Sequence, residues 1–148
     1  MTGFVSKWVV LQEHAVGAED VDGDGDVRDD VLARWVDEAC AAYLERCRVL
    51  AETANRDRVV VRSRFGALPF AAQLGQPDLV AVGATAREVR PSSFTIAVRL
   101  RTGGDDDVTV NTSCIVSLED PDTGSARDLG DEVRDELIAL EHAATHFT

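Results

Sequence analysis

The sequence predicts an α+β domain in which a curved antiparallel sheet embraces one long, deeply buried helix. Two observations carry this expectation. The segment Asp29 to Leu50, DDVLARWVDEACAAYLERCRVL, is apolar around most of a helical circumference, so other structure must wrap it. After it come short runs rich in β-branched residues that alternate apolar and polar with a period of two, as half-buried strands do. At 148 residues the whole chain, 1–148, is expected to form one domain that buries about two-thirds of its unfolded surface.

The elements follow in order. VSKWVVLQEHAV reads as a first strand, because β-branched and aromatic residues dominate it. An aspartate-rich loop leads into the helix, whose apolar positions are Val31, Leu32, Trp35, Val36, Ala39, Cys40, Tyr43, Leu44, Cys47 and Leu50. Arg34, Asp37, Glu38, Glu45 and Arg48 form its narrow polar stripe. ETANRDR reads as a polar break. Four strands are then expected: VVVRSRF, DLVAVGATAREVR, SFTIAVRLR and VTVNTSCIVSLED. The third places Phe94, Ile96, Val98 and Leu100 on one face. The fourth does the same with Val108, Val110, Thr112, Cys114, Val116 and Leu118. RPSS and Pro121–Gly124 are turn chemistry, and TGGDDD closes a hairpin. The tail GDEVRDELIALEHAATHF reads as a final helix with Val133, Leu137, Ile138 and Leu140 facing inward.

Composition narrows the function. Fifteen basic residues against twenty-seven acidic ones leave a net charge of −12, which argues against nucleic acid, whose binding needs a basic face, and against anionic membranes. No apolar run approaches the roughly 18 residues of a membrane span, and no leader-like cleavage site precedes the first charges, so a cytoplasmic protein is expected. The three cysteines, Cys40, Cys47 and Cys114, read as buried reduced thiols rather than a disulfide framework. His142 and His146 are spaced i, i+4 without a third ligand, so neither a metal nor a cofactor is expected.

DVDGDGDVRDDV, Asp20 to Val31, holds six aspartates in twelve residues. Asp20, Asp22, Asp24 and Gly25 match the opening of an EF-hand calcium loop. The match fails where a bidentate carboxylate is required, because Val31 stands there, and Arg28 would aim a cation into the site. The simpler reading is a solvated loop that caps the next helix, with Asp29 or Asp30 at or near the N-cap, where acidic residues complement the helix dipole.

The order of residues in that loop resembles a known family. EDVDGDGDVRDDVLARWVDEAC is similar to the strand-to-helix signature of hotdog-fold acyl-CoA thioesterases of the 4-hydroxybenzoyl-CoA thioesterase type. Asp20, Asp22, Gly25 and Val27 fall in register with the family's D-x-D-x-x-G pattern, and WVDEA matches its helix interior. AREVRPSSFTIAV resembles the family's turn between two central strands. The resemblance implies a hotdog fold, hydrolysis of an acyl-CoA or acyl-carrier thioester, and a homodimer or homotetramer with sites between subunits.

Residue by residue, it places the family's catalytic carboxylate on Asp22 and the backbone N–H that holds the oxyanion at Asp29. A helix N-terminus suits that second role, since its first N–H groups point outward under positive potential. The coenzyme A phosphates fall to Arg87 and Arg90, with Ser92 and Ser93 as further donors, although ordinary surface ion pairing explains those arginines equally well. The loop departs from the family by placing Asp26, Arg28, Asp29 and Asp30 where a histidine and asparagines are common. Like charge around Asp22 opposes a developing oxyanion, which keeps open a non-hydrolytic alternative, a hotdog protein that binds an acyl thioester or serves as an oligomeric module. The family's other branch, with a His-Gly-Gly segment and a mid-helix glutamate base, is not matched, so Glu38 reads as part of the polar stripe.

Overall fold

The computed structural model describes residues 8–67, 74–103 and 107–144. The chain runs β1 (Val10–Ala15), a 3-10 turn (Ala18–Asp20), α1 (Asp29–Glu45), α2 (Arg48–Asp57), β2 (Val60–Phe65), β3 (Leu79–Arg87), β4 (Ser93–Arg101), β5 (Thr109–Glu119), β6 (Ala126–Arg127) and α3 (Asp131–Ala144). The strands form one antiparallel sheet in the order β1-β3-β4-β5-β2, with the short β6 pairing β5.

The register explains the core. Val82 lies opposite Leu100, Ala84 opposite Val98, Ile96 opposite Cys114 and Phe94 opposite Val116. Each pair therefore projects to the same face, and every one of these side chains is buried. Across from them α1 buries Val31, Leu32, Trp35, Val36, Ala39, Cys40 and Tyr43, while its polar stripe stays exposed. All three cysteines are free and buried. Burial pushes the Cys47 thiol up to about 12, so it behaves as a small apolar side chain. On the outer face Trp8 lies over Gly83. A Cβ at residue 83 would stand 2.6 Å from the indole, so only glycine permits this seat.

Three expectations need correction. The long helix ends at Glu45, and ETANRDR is largely the second half of a separate helix, α2. No local side chain caps α2. The Glu136 carboxylate of α3 does so instead, accepting the Val49 N–H at 3.0 Å and the Leu50 N–H at 3.4 Å. A cap supplied from 86 or 87 residues away leaves no mark in the local sequence. Ile138 points outward, 62% exposed, while Val133, Leu137 and Ala144 are the buried residues of α3. Finally, β5 is not half-buried throughout. Ser117 and Glu119 on its outer face are also covered, because Arg64 binds Glu119 through both guanidinium nitrogens and Ser117 donates to it at 2.8 Å.

The β4–β5 pairing agrees with the expected hairpin, although residues 104–106 lie outside the described residues, as does His146. Among the described residues, no helix is long and apolar enough to cross a membrane.

Candidate active site

The aspartate loop is a closed turn between β1 and α1. Val21 and Val27 pair across its neck, and Val27 is 2% exposed, which pins the loop to the core. Gly25 sits at φ +87°, a conformation costly for any residue with a Cβ. The Asp22 N–H donates to the Asp26 carbonyl at 2.8 Å, and Asp22 Oδ1 accepts the N–H groups of Asp24 (2.8 Å) and Asp26 (3.1 Å). Gln76 braces the turn from the segment before β3, donating to the Asp24 carbonyl at 2.8 Å. Asp22 is exposed at the tip of this frame.

The helix start follows directly. Arg28 is the N-cap and makes no side-chain cap bond, with Asp29 and Asp30 in the first turn. Asp29 and Asp30 thus lie near the N-cap as expected, with Arg28 in the N-cap position itself. Its guanidinium instead forks onto the Asp30 carboxylate (3.0 and 2.5 Å) and reaches the Glu19 carbonyl at 3.1 Å. That fork holds Asp30 below the usual carboxylate range. Part of the charge crowding around Asp22 is thus neutralised within the loop itself. Among the described residues, no three His, Cys, Asp or Glu side chains are grouped to hold a metal ion.

Arg87, Arg90, Ser92 and Ser93 lie together at the β3–β4 turn, but far from Asp22 in the same chain. Ala15, at the loop end of β1, pairs with Leu79 at the start of β3, whereas Arg87 closes β3 eight residues later. At the rise of an extended strand that is roughly 26 Å. Arg90 is already engaged, with its guanidinium 2.8 Å from Glu88 and its N–H donating to the Ser93 carbonyl at 2.7 Å. Glu38 stays in the polar stripe of α1, 3.9 Å from Arg34.

Two residues take positions that the sequence pattern did not assign them: Asp20, matched there only as a calcium-loop and family-register position, and His14 on β1. Asp20 is 8% exposed. Its Oδ2 accepts the Gly17 N–H at 2.9 Å, its Oδ1 lies 3.7 Å from Arg34, and its carbonyl accepts the Arg28 N–H at 2.9 Å. Asp20 therefore ties the incoming turn to the helix start. His14 stacks on Trp35 with centroids 4.7 Å apart and planes 13° apart. Its Nε2 and the Oε1 of Gln12, two residues earlier, are buried and, among the described residues, have no hydrogen-bond partner. A signal for His14 was present. Val10, Gln12 and His14 alternate on β1, so two polar side chains share the face that Val10 must bury.

No family model matches the chain, and no curated protein is similar to it in sequence. Solved structures are similar in fold. A thioesterase from Thermus thermophilus, solved with coenzyme A and zinc, superposes with TM-score 0.63 at 19% identity, covering 92% of this chain and 96% of that one. The 4-hydroxybenzoyl CoA thioesterase of Pseudomonas sp. strain CBS-3 gives TM-score 0.58 at 17% identity, covering 86% and 97%. The 12:0-ACP thioesterase of Umbellularia californica gives 0.69 at 13% identity, with 94% of this chain matching 55% of that one. At these identities the likeness establishes the fold. The chain has the hotdog fold, and its structural neighbours include thioesterases that carry it.

Proposed function

We propose that this protein hydrolyses an acyl thioester carried by coenzyme A or an acyl-carrier protein. The observation that carries the reading is the placement of Asp22, an exposed carboxylate on a rigid turn seven residues before the first residue of the buried helix. In this reading Asp22 attacks the thioester carbonyl or deprotonates the attacking water, and the backbone N–H of Asp29 receives the developing oxyanion. Structural neighbours named as thioesterases, one solved with coenzyme A, support it.

A homo-oligomer belongs to the same reading. β2 is an edge strand whose last four residues, Arg62 to Phe65, are all exposed, and Phe65 and Ile115 leave apolar surface beside it. An open edge of this kind invites pairing with a second copy. A partner also removes the separation between Asp22 and the β3–β4 turn, since Arg87, Arg90, Ser92 and Ser93 of one subunit can serve the phosphates of a substrate bound at the Asp22 of the other.

Hydrolysis assayed against a panel of acyl-CoAs and acyl-carrier thioesters tests the activity. Mixing Asp22→Asn with Arg90→Ala protein tests the shared site, with partial recovery expected in hybrid dimers. A monomer by light scattering at micromolar concentration overturns the shared site. The second reading, a thioester-binding module without hydrolysis, is favoured by one observation: Asp22 Oδ1 already accepts two loop N–H groups. Binding without turnover across the whole panel would select it.

A further inference from the structure

The outer face of the sheet carries a trough that the proposed hydrolysis does not use. Two successive outward positions of β3 are Ala81 and Gly83, and the strands beside them carry longer side chains. Leu11 of β1 lies opposite Gly83, and Arg99 and Arg101 of β4 lie opposite Gly83 and Ala81. Small residues between large ones leave a depression in a pleated surface. Its volume is about 200 Å³, and it is bounded along β3 by Leu79 and by the indole of Trp8 over Gly83. Leu11 and Leu79, both exposed, make its apolar wall.

One cation in the trough is both fixed and uncompensated. The Arg99 guanidinium lies 5.4 Å from the centroid of the Trp8 ring, and its Nε–H donates to Asn111 Oδ1 at 3.1 Å. These contacts orient the group. Among the described residues no carboxylate pairs with it, and its two Nη groups take no hydrogen bond. Arg101 differs. Asp107 accepts from its Nε at 3.2 Å and from its Nη2, and the same carboxylate accepts the Gly103 N–H at 3.0 Å. That pair cancels its own charge and fixes the rim. Glu13 stands opposite Ala81 on β1 but does not line the trough.

A single free guanidinium therefore sits over an apolar floor, on a chain whose net charge is −12. We propose that the trough binds an organic monoanion, with its carboxylate on the Arg99 Nη groups and a compact apolar body over Ala81 and Gly83. The planar fork of a guanidinium matches a carboxylate. At the packing density of a protein interior, the trough holds roughly ten non-hydrogen atoms. Acids of this class are what thioester hydrolysis releases: water adds, the C–S bond breaks, and a carboxylate, a thiol and a proton leave. The acyl end of a thioester carries no charge, so the trough distinguishes product from substrate. That link rests on the proposed hydrolysis. Binding of the anion does not, and the test reads binding alone.

Octanoate is a probe of matching size, and octanamide has the same shape without the charge. Each is titrated into the whole chain while NMR follows the Gly83 amide and the indole N–H groups of Trp8 and Trp35. Octanoate is expected to shift Gly83 and Trp8 and leave Trp35 in place, with a Kd on the order of a few hundred micromolar. Octanamide should bind about tenfold or more weakly, as should octanoate in Arg99→Gln and in Ala81→Leu, which fills the floor. Both substitutions are at outward positions, and should one variant fail to fold, the other decides. No shift at Trp8 by about 10 mM octanoate overturns the site, and equal binding of octanamide overturns the selection for charge. A wild type that ignores octanoate, with an oligomeric state that changes in Ala81→Leu, makes the trough a contact between copies and overturns the proposal as well.

Discussion

Glu141 and Asp22 both accept main-chain N–H bonds, in opposite surroundings. Glu141 reaches from α3 to the part of β3 that extends past β1, where it accepts the Ala86 N–H (2.9 Å), the Tyr43 hydroxyl (2.7 Å) and the Thr85 hydroxyl. It stands in for a missing neighbouring strand, and Tyr43 and Thr85 are buried around it. Burial, with Glu141 second, pushes the Tyr43 phenol far above its ordinary value, so it remains a donor at any relevant pH. Asp22 accepts two N–H groups through one oxygen, and among the described residues its other oxygen takes no hydrogen bond. The difference separates two uses of one functional group. A carboxylate saturated by buried donors holds structure, and one held by its own loop with an oxygen left to solvent is available for chemistry.

This contrast can be broken from either side. Replacing Asp22 with Asn is expected to lower thioester hydrolysis by about a thousandfold, in the range for loss of an essential acid–base or nucleophilic group. The melting temperature should move by about 2 °C or less, because loop-tip substitutions at exposed positions cost little. Replacing Glu141 with Ala should do the reverse. It strands the Tyr43 hydroxyl and the Ala86 N–H, and the expected cost is about 2–4 kcal/mol of unfolding free energy by urea denaturation. Any activity still measurable in the folded fraction should match wild type per molecule. A large activity loss in fully folded Glu141→Ala protein would remove the distinction.

A smaller effect concerns Glu119, on the outer face. Arg64 first, with Ser117 second, holds its carboxyl down to about 2. Its pKa is depressed on folding, so its contribution is present above the ordinary value of 4.5 and is lost as pH falls from there toward 2. Acid titration of stability should therefore be shallower across that window in Arg64→Gln than in wild type, and identical slopes would show that this pair contributes nothing. The smallest expected effect is that of calcium on the Asp22 loop. With Val31 in place of a bidentate ligand, millimolar calcium should shift the melting temperature by no more than about 1 °C relative to magnesium, whereas a ligand bound tightly must raise it by mass action.

The strands and α1 were legible because their signals are local. Alternation in SFTIAVRLR dictates which side chains share a face, and a helix apolar at Trp35, Ala39 and Tyr43 must be wrapped whatever wraps it. The loop was legible as an ordered series of aspartates and glycines whose turn needs Gly25. Other features depend on residues distant in the chain. The sequence of α2 reads as a break because its cap is the carboxylate of Glu136, and Ile138 reads as inward because periodicity marks a stripe without saying where the neighbouring layer ends. Nothing in the local sequence singles out Glu141, because its partners, on α1 and β3, are 55 to 98 positions away.

By itself, then, the sequence determined the alternation and the buried helix, since each follows from the spacing of residues along one element, while the aspartate loop it marked is made rigid by a brace from Gln76, 52 residues away. Only the tertiary structure decided that Arg87 and Arg90 lie at the opposite end of the sheet from Asp22, that Asp20 is the tie beneath the loop, and that His14 faces Trp35 with a nitrogen left unbonded among the described residues. Strand register and helix docking set those relations, and they are fixed by the packing of side chains that are remote from one another in the chain.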